Sequence, residues 1–221
     1  MRINKFVALA SGLSRRAADQ AVAEHRVKVN GQPAATGQDI TETDNITLDN
    51  RPLKALQIQT IMLNKPTGYV VSRDGQGNKT IYDLLPEDYG HLKPIGRLDK
   101  DSSGLLLLTN DGNLANQLTH PSHQKAKIYE VKLTKPLTSQ HFQIITGEGV
   151  LLEDGPSKFA LKEISPGDGK HWRITMHEGR NRQIRRTLAG LGYGVNTLHR
   201  THFGAYVLPP DMASGQFQNL N

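Results

Sequence analysis

The chain opens with apolar residues at helical spacing. Ile3, Phe6, Val7 and Ala10 recur at i, i+3, i+4 and i+7, one face of a short amphipathic helix. Gly12 supplies its stop. Ser14 is placed to cap a second helix, whose Ala18, Ala21 and Val22 share a face. The period then changes from helical to alternating. Arg26-Val27-Lys28-Val29 sends its valines to one side and its cations to the other, and the Asn30-Gly31 that follows is a strong hairpin turn. Ile46-Thr47-Leu48 predicts a further short strand. Residues 50–59 follow neither period and read as a linker. Beyond them the pattern predicts strands over 60–63, 69–72, 105–109, 127–133, 158–164, 171–177 and 195–200, and helices over 112–119, 138–146 and 181–191. Strand and helix do not alternate regularly, which favours an α+β fold with a mixed, mainly antiparallel sheet over a doubly wound one. The parse is a small helix-helix-strand domain over residues 1–58 and a larger domain over 59–221.

Composition adds a partner class to this outline. The hydrophobic fraction of 36% is enough for a buried core in each domain, and the 22% of charged residues is too low for wholesale disorder. The formal net charge is +6, and the charge is unevenly spread. Arg2, Lys5, Arg15, Arg16, Arg26 and Lys28 stand against only Asp19 and Glu24 in the first thirty residues. Arg180, Arg182, Arg185, Arg186 and Arg200 form a second cluster, with no acid between Gly179 and Pro210. Two separate basic clusters favour a polyanionic partner such as nucleic acid over two solvated faces. The absence of Cys excludes disulfides, thiolate nucleophiles and Cys-ligated zinc. The N-terminal apolar stretch is too short and interrupted for a signal peptide, and no run reaches the length of a membrane span. A cytoplasmic protein without membrane contact, acting as a monomer, is expected.

The stretch richest in chemistry is Gly96-Arg97-Leu98-Asp99-Lys100-Asp101-Ser102-Ser103-Gly104-Leu105-Leu106-Leu107-Leu108. Four consecutive leucines read as a buried strand. The loop before them carries an Arg-x-Asp between glycines, and loops entering core strands commonly position polar groups. On residues alone Asp99 is either catalytic or a turn and capping residue. His120-x-x-His123 and His199-x-x-His202 have spacings seen at metal sites, but sequence suggests no third ligand for either pair, so no metal is expected.

Gly-Arg-Leu-Asp followed by Ser-Gly-Leu-Leu resembles the signature of the bacterial ribosomal RNA pseudouridine synthases, in particular the group of the small-subunit synthase A and the large-subunit synthases B, E and F. Three further motifs resemble that family in its own order: Lys65-Pro66-Thr67-Gly68, Lys127-Ile128-Tyr129-Glu130-Val131, and Glu178-Gly179-Arg180-Asn181-Arg182-Gln183-Ile184-Arg185-Arg186. The resemblance runs from about residue 60 to about residue 208. The first fifty residues resemble the S4 RNA-binding module, through Arg2-Ile3-Asn4-Lys5, Ser14-Arg15-Arg16 and Arg26-Val27-Lys28-Val29-Asn30-Gly31.

The resemblance implies that the chain isomerises uridine to pseudouridine in ribosomal RNA, with the target base flipped out of its helix. The reaction moves one glycosidic bond from N1 to C5 and needs no redox cofactor, metal or nucleotide, so no cofactor is expected. Asp99 is then the catalytic carboxylate, acting by addition at the ribose or by proton abstraction from it. Arg185 is expected to pair with Asp99 and keep it ionised. Tyr129, on pattern alone an ordinary half-buried strand aromatic, is expected to stack on the base and to help remove the C5 proton. Ile184 is an apolar pocket wall. Arg97, Lys127, Arg180, Arg182 and Arg186 are expected to contact substrate RNA, and Arg2, Lys5, Arg15, Arg16, Arg26 and Lys28 to contact it from the first domain. The partner is ribosomal RNA or a ribosomal assembly intermediate. Two alternatives keep the fold: a non-catalytic RNA-binding assembly factor, and a synthase acting on transfer RNA. Which uridine, and which ribosomal subunit, are left open.

Overall fold

A computed structural model describes residues 1–54 and 57–220. The chain divides into two compact units, Met1–Ile58 and Gln59–Asn221.

In the first unit, helices α1 (Ile3–Ser11) and α2 (Arg15–Ala23) precede strands β1 (Val27–Val29), β2 (Gln32–Pro33), β3 (Ile46–Leu48) and β4 (Arg51–Pro52). The sequence logic holds locally. Gly12 ends α1 in the left-handed conformation at φ 76°, and the Ser14 hydroxyl accepts from the Ala17 amide to cap α2. Asn30 and Gly31 both have positive φ, as the tight hairpin between β1 and β2 requires. The strands form an antiparallel sheet in the order β2-β1-β3-β4. Ile3, Val7, Ala18, Ala21, Val22, Val27 and Ile46 are buried together as its core. The linker expected over residues 50–59 begins too early: Arg51 and Pro52 pair with β3. The remainder of that span includes residues 55 and 56, which lie outside the described residues.

The second unit contains β5 (Thr60–Lys65), β6 (Lys93–Pro94), β7 (Ser103–Thr109), α3 (Gly112–Thr119), β8 (Lys127–Leu133), α4 (Ser139–Thr146), β9 (Val150–Leu152), β10 (Gly155–Ser157), β11 (Ala160–Glu163), β12 (His171–Met176), α5 (Gln183–Gly190), β13 (Val195–Phe203), β14 (Tyr206–Val207) and β15 (Phe217–Asn219). Its main sheet runs β11-β12-β8-β13-β7-β5-β15, with β14 on β13 and β6 on β7. The β13–β7 pair is parallel and the other described pairs are antiparallel, so the sheet is mixed and mainly antiparallel as expected. The leucines of β7 are buried on both faces: Leu106 and Leu108 enter one core layer with Ile61, Val131 and Ile174, and Leu105 and Leu107 enter the other with Met62, Leu118 and Phe203. A central strand with no solvent face is why this run is continuous rather than alternating.

Three expectations need correction. The strand over 69–72 reduces to a single bridge from Val70 to Thr80. The chain turns back through residues 74–78, so only the bonds from Val70 N to Lys79 O and from Ile81 N to Val70 O can form. The β9–β10 hairpin and the edge strand β15 were not anticipated; each of these strands is three residues long, too short to show a readable period. Finally, β13 extends to Phe203, past the expected end at residue 200.

Gly104 fixes the close approach of β7 and β13. A Cβ built there would lie 2.3 Å from the Arg200 carbonyl oxygen, and the residue holds φ at +103°.

Candidate active site

The loop before β7 is held in shape by backbone hydrogen bonds, core packing and a buried ammonium. Gly96 turns into it at φ +74°, and buried Leu98 anchors it in the core. The Ser102 amide donates to Asp99 O at 3.1 Å, and the Gly68 amide donates to Lys100 O at 2.7 Å. Beneath the loop lies the ammonium of Lys65, a residue with 0% exposure at the end of β5. Its Nζ donates to the carbonyls of Pro66 (3.0 Å), Asp99 (3.1 Å) and Ser102 (2.8 Å). Burial pushes its pKa down to about 8, opposed by the charges of Asp101 and Asp99 and reinforced by that of Arg200. The Lys-Pro-Thr-Gly motif thus serves the Asp99 loop from below.

Asp99 itself, with its side chain 28% exposed, lies in a cleft of about 1130 Å³. Tyr129, Ile184, Arg182, Arg185, Lys127, Arg180 and Arg97 line the same cleft, so the sequence motifs converge on one place. Tyr129 is 8% exposed and comes from the centre of β8. Ile184, buried in the first turn of α5, forms an apolar wall. Arg97 is exposed and has no ion pair or hydrogen bond from its side chain to another described residue.

The charge arrangement differs from expectation. Arg185 does not pair with Asp99. Its Nε lies 3.3 Å from Asp101 Oδ2, and its two terminal nitrogens donate to Asp101 O at 2.9 Å and Val195 O at 3.2 Å. Among the described residues, the cation within ion-pair distance of the Asp99 carboxylate is Arg182, whose Nη1 lies 3.7 Å from Asp99 Oδ2 while both its terminal nitrogens donate to the Asp101 carboxylate at 2.8 Å. Asp101 is the hub of this cluster. The hydrogen bonds from Arg182, then the charges of Arg185 and Arg182, hold its carboxyl below the usual carboxylate range. The physical reason for the swap is backbone geometry: Arg182 sits at the N-terminal boundary of α5 in the left-handed region, φ 46° and ψ 30°. That conformation costs a non-glycine residue about 1–2 kcal/mol, and it turns the side chain back over the Asp99 loop.

The outer arginines have other duties. Arg180 donates to the carbonyls of Asp154, Gly155 and Pro156 and pairs with Asp154 Oδ1 at 2.9 Å, clamping the β9–β10 turn. Arg186 makes a two-pronged pair with the same carboxylate, at 3.1 and 2.7 Å, and does not line the cleft. In the first unit, Arg26 is similarly occupied, by Asp49 at 2.7 Å and Glu24 at 3.3 Å, and Arg2 pairs with Asp39. Lys28 donates to Asn50 Oδ1 at 3.0 Å. Arg15 and Arg16 are exposed on α2 and have no side-chain partner among the described residues. Lys5 lies on α1, half-buried.

Sequence reasoning missed three groups: Lys65, Asp101 and Arg200. Asp101 was visible two residues from Asp99 in the same loop. Arg200 carried a signal as well, since it shares the face of β13 with Leu198 and therefore points a cation into a buried layer. Among the described residues, no group of three or more His, Cys, Asp or Glu side chains is placed to hold a metal. No described helix is long and apolar enough to cross a membrane.

Comparison with known proteins agrees with this geometry. Residues 59–190 match the RNA pseudouridylate synthase family, and residues 1–46 match the S4 domain. The chain is 39% identical over its whole length to the ribosomal small subunit pseudouridine synthase A of Pasteurella multocida, of which it spans 96%. It is 38% identical, over 99% of its length, to the ribosomal large subunit pseudouridine synthase B of Xylella fastidiosa, and spans 48% of that protein. A crystal structure of a pseudouridylate synthase superposes with a TM-score of 0.71 at 34% identity, covering 100% of this chain and 96% of that one. The chain therefore belongs to the RNA pseudouridylate synthase family. Within that family it combines the synthase fold with an N-terminal S4 domain, and it spans about half the length of the large-subunit synthases it resembles.

Proposed function

We propose that this chain converts a uridine of ribosomal RNA to pseudouridine, with Asp99 as the catalytic carboxylate. The observation that carries the reading is the convergence of Asp99, Tyr129 and Ile184 with a group of arginines on one cleft in a chain of this family. The substrate class is supported by its relatives, which are named as pseudouridine synthases of the ribosomal small and large subunits.

Each role follows from local chemistry. The target uridine leaves its helix to reach Asp99, which sits inside the cleft rather than on a flat face. Tyr129 offers its ring to the base and its hydroxyl to the C5 proton. Arg182 places a positive charge beside the Asp99 carboxylate, and Arg185 acts through Asp101. Asp99 then adds to C1′ as the C1′–N1 bond breaks and is displaced when C5 bonds to C1′, or it takes the C2′ proton as that bond breaks and returns it when C5 bonds; both routes use the same carboxylate. Arg97 and Lys127 flank the cleft as contacts for the RNA backbone. The S4 unit adds capture of RNA through its exposed cations, chiefly Arg15 and Arg16.

The test is to map pseudouridines in ribosomal RNA from cells with and without the gene, and to restore the missing one with purified protein and with Asp99→Asn. Wild-type protein should restore it. The Asn variant, which keeps shape and loses charge, should bind that RNA without converting it. An unchanged pseudouridine map in cells lacking the gene would reject ribosomal RNA as the substrate.

A further inference from the structure

Arg200 is the most deeply buried cation that the proposed chemistry leaves unused. It is 2% exposed, yet it lines the cleft that contains Asp99. Its Nε donates to Leu105 O at 2.8 Å, and its guanidinium packs 5.0 Å from the Phe203 ring centroid. Its Nη2 is buried and has no hydrogen-bond partner, and no carboxylate lies within ion-pair distance of it, among the described residues. The neighbouring charges do not compensate it. Lys65 and Lys127 both feel its repulsion, and Lys127 Nζ lies 5.4 Å from the centroid of the same Phe203 ring. A buried cation with an unmet donor is costly in a folded protein, and such groups call for an explanation in a ligand or in chemistry.

Position supplies that explanation. Arg200 and Tyr129 are directly opposite each other across the β8–β13 pair. Cross-strand neighbours project to the same face of a sheet, with Cβ atoms about 4.5–5.5 Å apart. A base stacked on the Tyr129 ring therefore brings its edge towards the Arg200 guanidinium. The donor is fixed in advance, because Nε is tied to the backbone of β7 and the guanidinium is planar.

On the reading given above, we infer that Arg200 donates from its terminal guanidinium to a carbonyl oxygen of the flipped uracil and stabilises the charge that develops there. When the C1′–N1 bond breaks, its electron pair leaves with the base, and the uracil becomes an anion with charge shared by N1, O2 and O4. The pair returns to C1′ when C5 bonds to it; C5 then loses its proton and N1 gains one. A preorganised cationic donor at O2 or O4 is stronger for the anion than for the neutral base, which is the condition for lowering the barrier.

The experiment uses synthetic RNA of the sequence converted by the wild-type protein, with uridine, 2-thiouridine or 4-thiouridine at the target. Sulfur is a poor hydrogen-bond acceptor in place of oxygen. Single-turnover rates are compared for wild type, Arg200→Met and Arg200→Lys. Arg200→Met should slow the uridine reaction by about 10²–10³-fold, the usual loss for one such donor. The ratio of uridine to thiouridine rates should differ between wild type and Arg200→Met at one carbonyl and agree at the other, since intrinsic reactivity of the base cancels between enzymes. Arg200→Lys, which retains a buried cation of different geometry, gives the same comparison if the Met variant fails to fold. Thio ratios unaltered by either folded variant, at both carbonyls, would overturn the inference. Failure of the wild-type protein to convert uridine in any ribosomal RNA would instead overturn the function on which it rests.

Discussion

Asp101→Asn separates positioning from stability. In the folded protein the Asp101 carboxylate receives both terminal nitrogens of Arg182 at 2.8 Å and faces Arg185 Nε at 3.3 Å. Asn keeps the shape and one acceptor oxygen, loses the charge, and presents an amide donor to a guanidinium. The stability penalty from the Arg182 pair should be small, because these side chains are 46% and 43% exposed for Asp101 and Arg182, and exposed ion pairs contribute about 0.2–1 kcal/mol. For a chain of this size that is a loss in Tm of no more than about 4 °C. The catalytic penalty should be much larger. Asp101 holds the guanidinium of Arg182 that lies 3.7 Å from Asp99, and misplacing a catalytic group by about 1 Å can cost about 10²-fold. The assay is single-turnover conversion at saturating RNA, beside a thermal melt. Arg182→Ala should lose a similar amount, and the double variant should lose little more than either alone, because the two residues act through one contact. An Asp101→Asn protein that converts RNA at the wild-type rate, or losses that simply add in the double variant, would refute the positioning argument.

Tyr129→Phe keeps the ring and removes the hydroxyl, so single turnover should slow by about 10²–10⁴-fold if that hydroxyl handles the C5 proton; a near wild-type rate would leave Tyr129 as a stacking surface alone. Lys65 predicts opposite effects of pH on stability and turnover. Its pKa is 10.5 ordinarily and about 8 when folded, so between those values the unfolded chain binds more protons and this group's contribution to stability rises with pH. The neutral amine has one donor fewer for the carbonyls of Pro66, Asp99 and Ser102, so turnover should fall with a midpoint near 8. A pH–rate profile level to pH 10, measured below the melting transition, would reject that role. Reversing the exposed charges with Arg15→Glu and Arg16→Glu should weaken RNA binding and flatten its dependence on salt, by about one in log–log slope for each phosphate no longer neutralised. Identical slopes would remove α2 from the RNA interface.

What the sequence disclosed depended on how local each signal was. The caps at Gly12 and Ser14, the Asn30-Gly31 hairpin and the four-leucine strand each arise from neighbours in the chain, and each appears where its residues required. Asp99, Tyr129 and Ile184 were legible through motifs, and they line one cleft. The Arg182–Asp99 approach was not legible, because it follows from a left-handed residue at the start of α5 that no propensity assigns to arginine. Arg180 and Arg186 read as phosphate contacts because sequence shows a charge but not its partner. That partner, Asp154, is distant in the chain and sits on a hairpin too short to show a period. Asp49 plays the same part for Arg26.

The fastening of the Asp99 loop by Lys65 decides which molecule must rearrange when the two meet. With the carbonyls of Asp99 and Ser102 fixed by one buried ammonium, Leu98 seated in the core and Lys100 O held by the Gly68 amide, the loop has little freedom left to lose. The disorder given up on docking is then mostly that of the nucleic acid. Extruding a paired base costs a few kcal/mol and a mismatched or unpaired one less, so on the proposed chemistry a rigid enzyme would favour uridines that local RNA structure already releases most easily. Choice of target would be written as much in the folding landscape of the RNA as in any contact the protein makes to its bases.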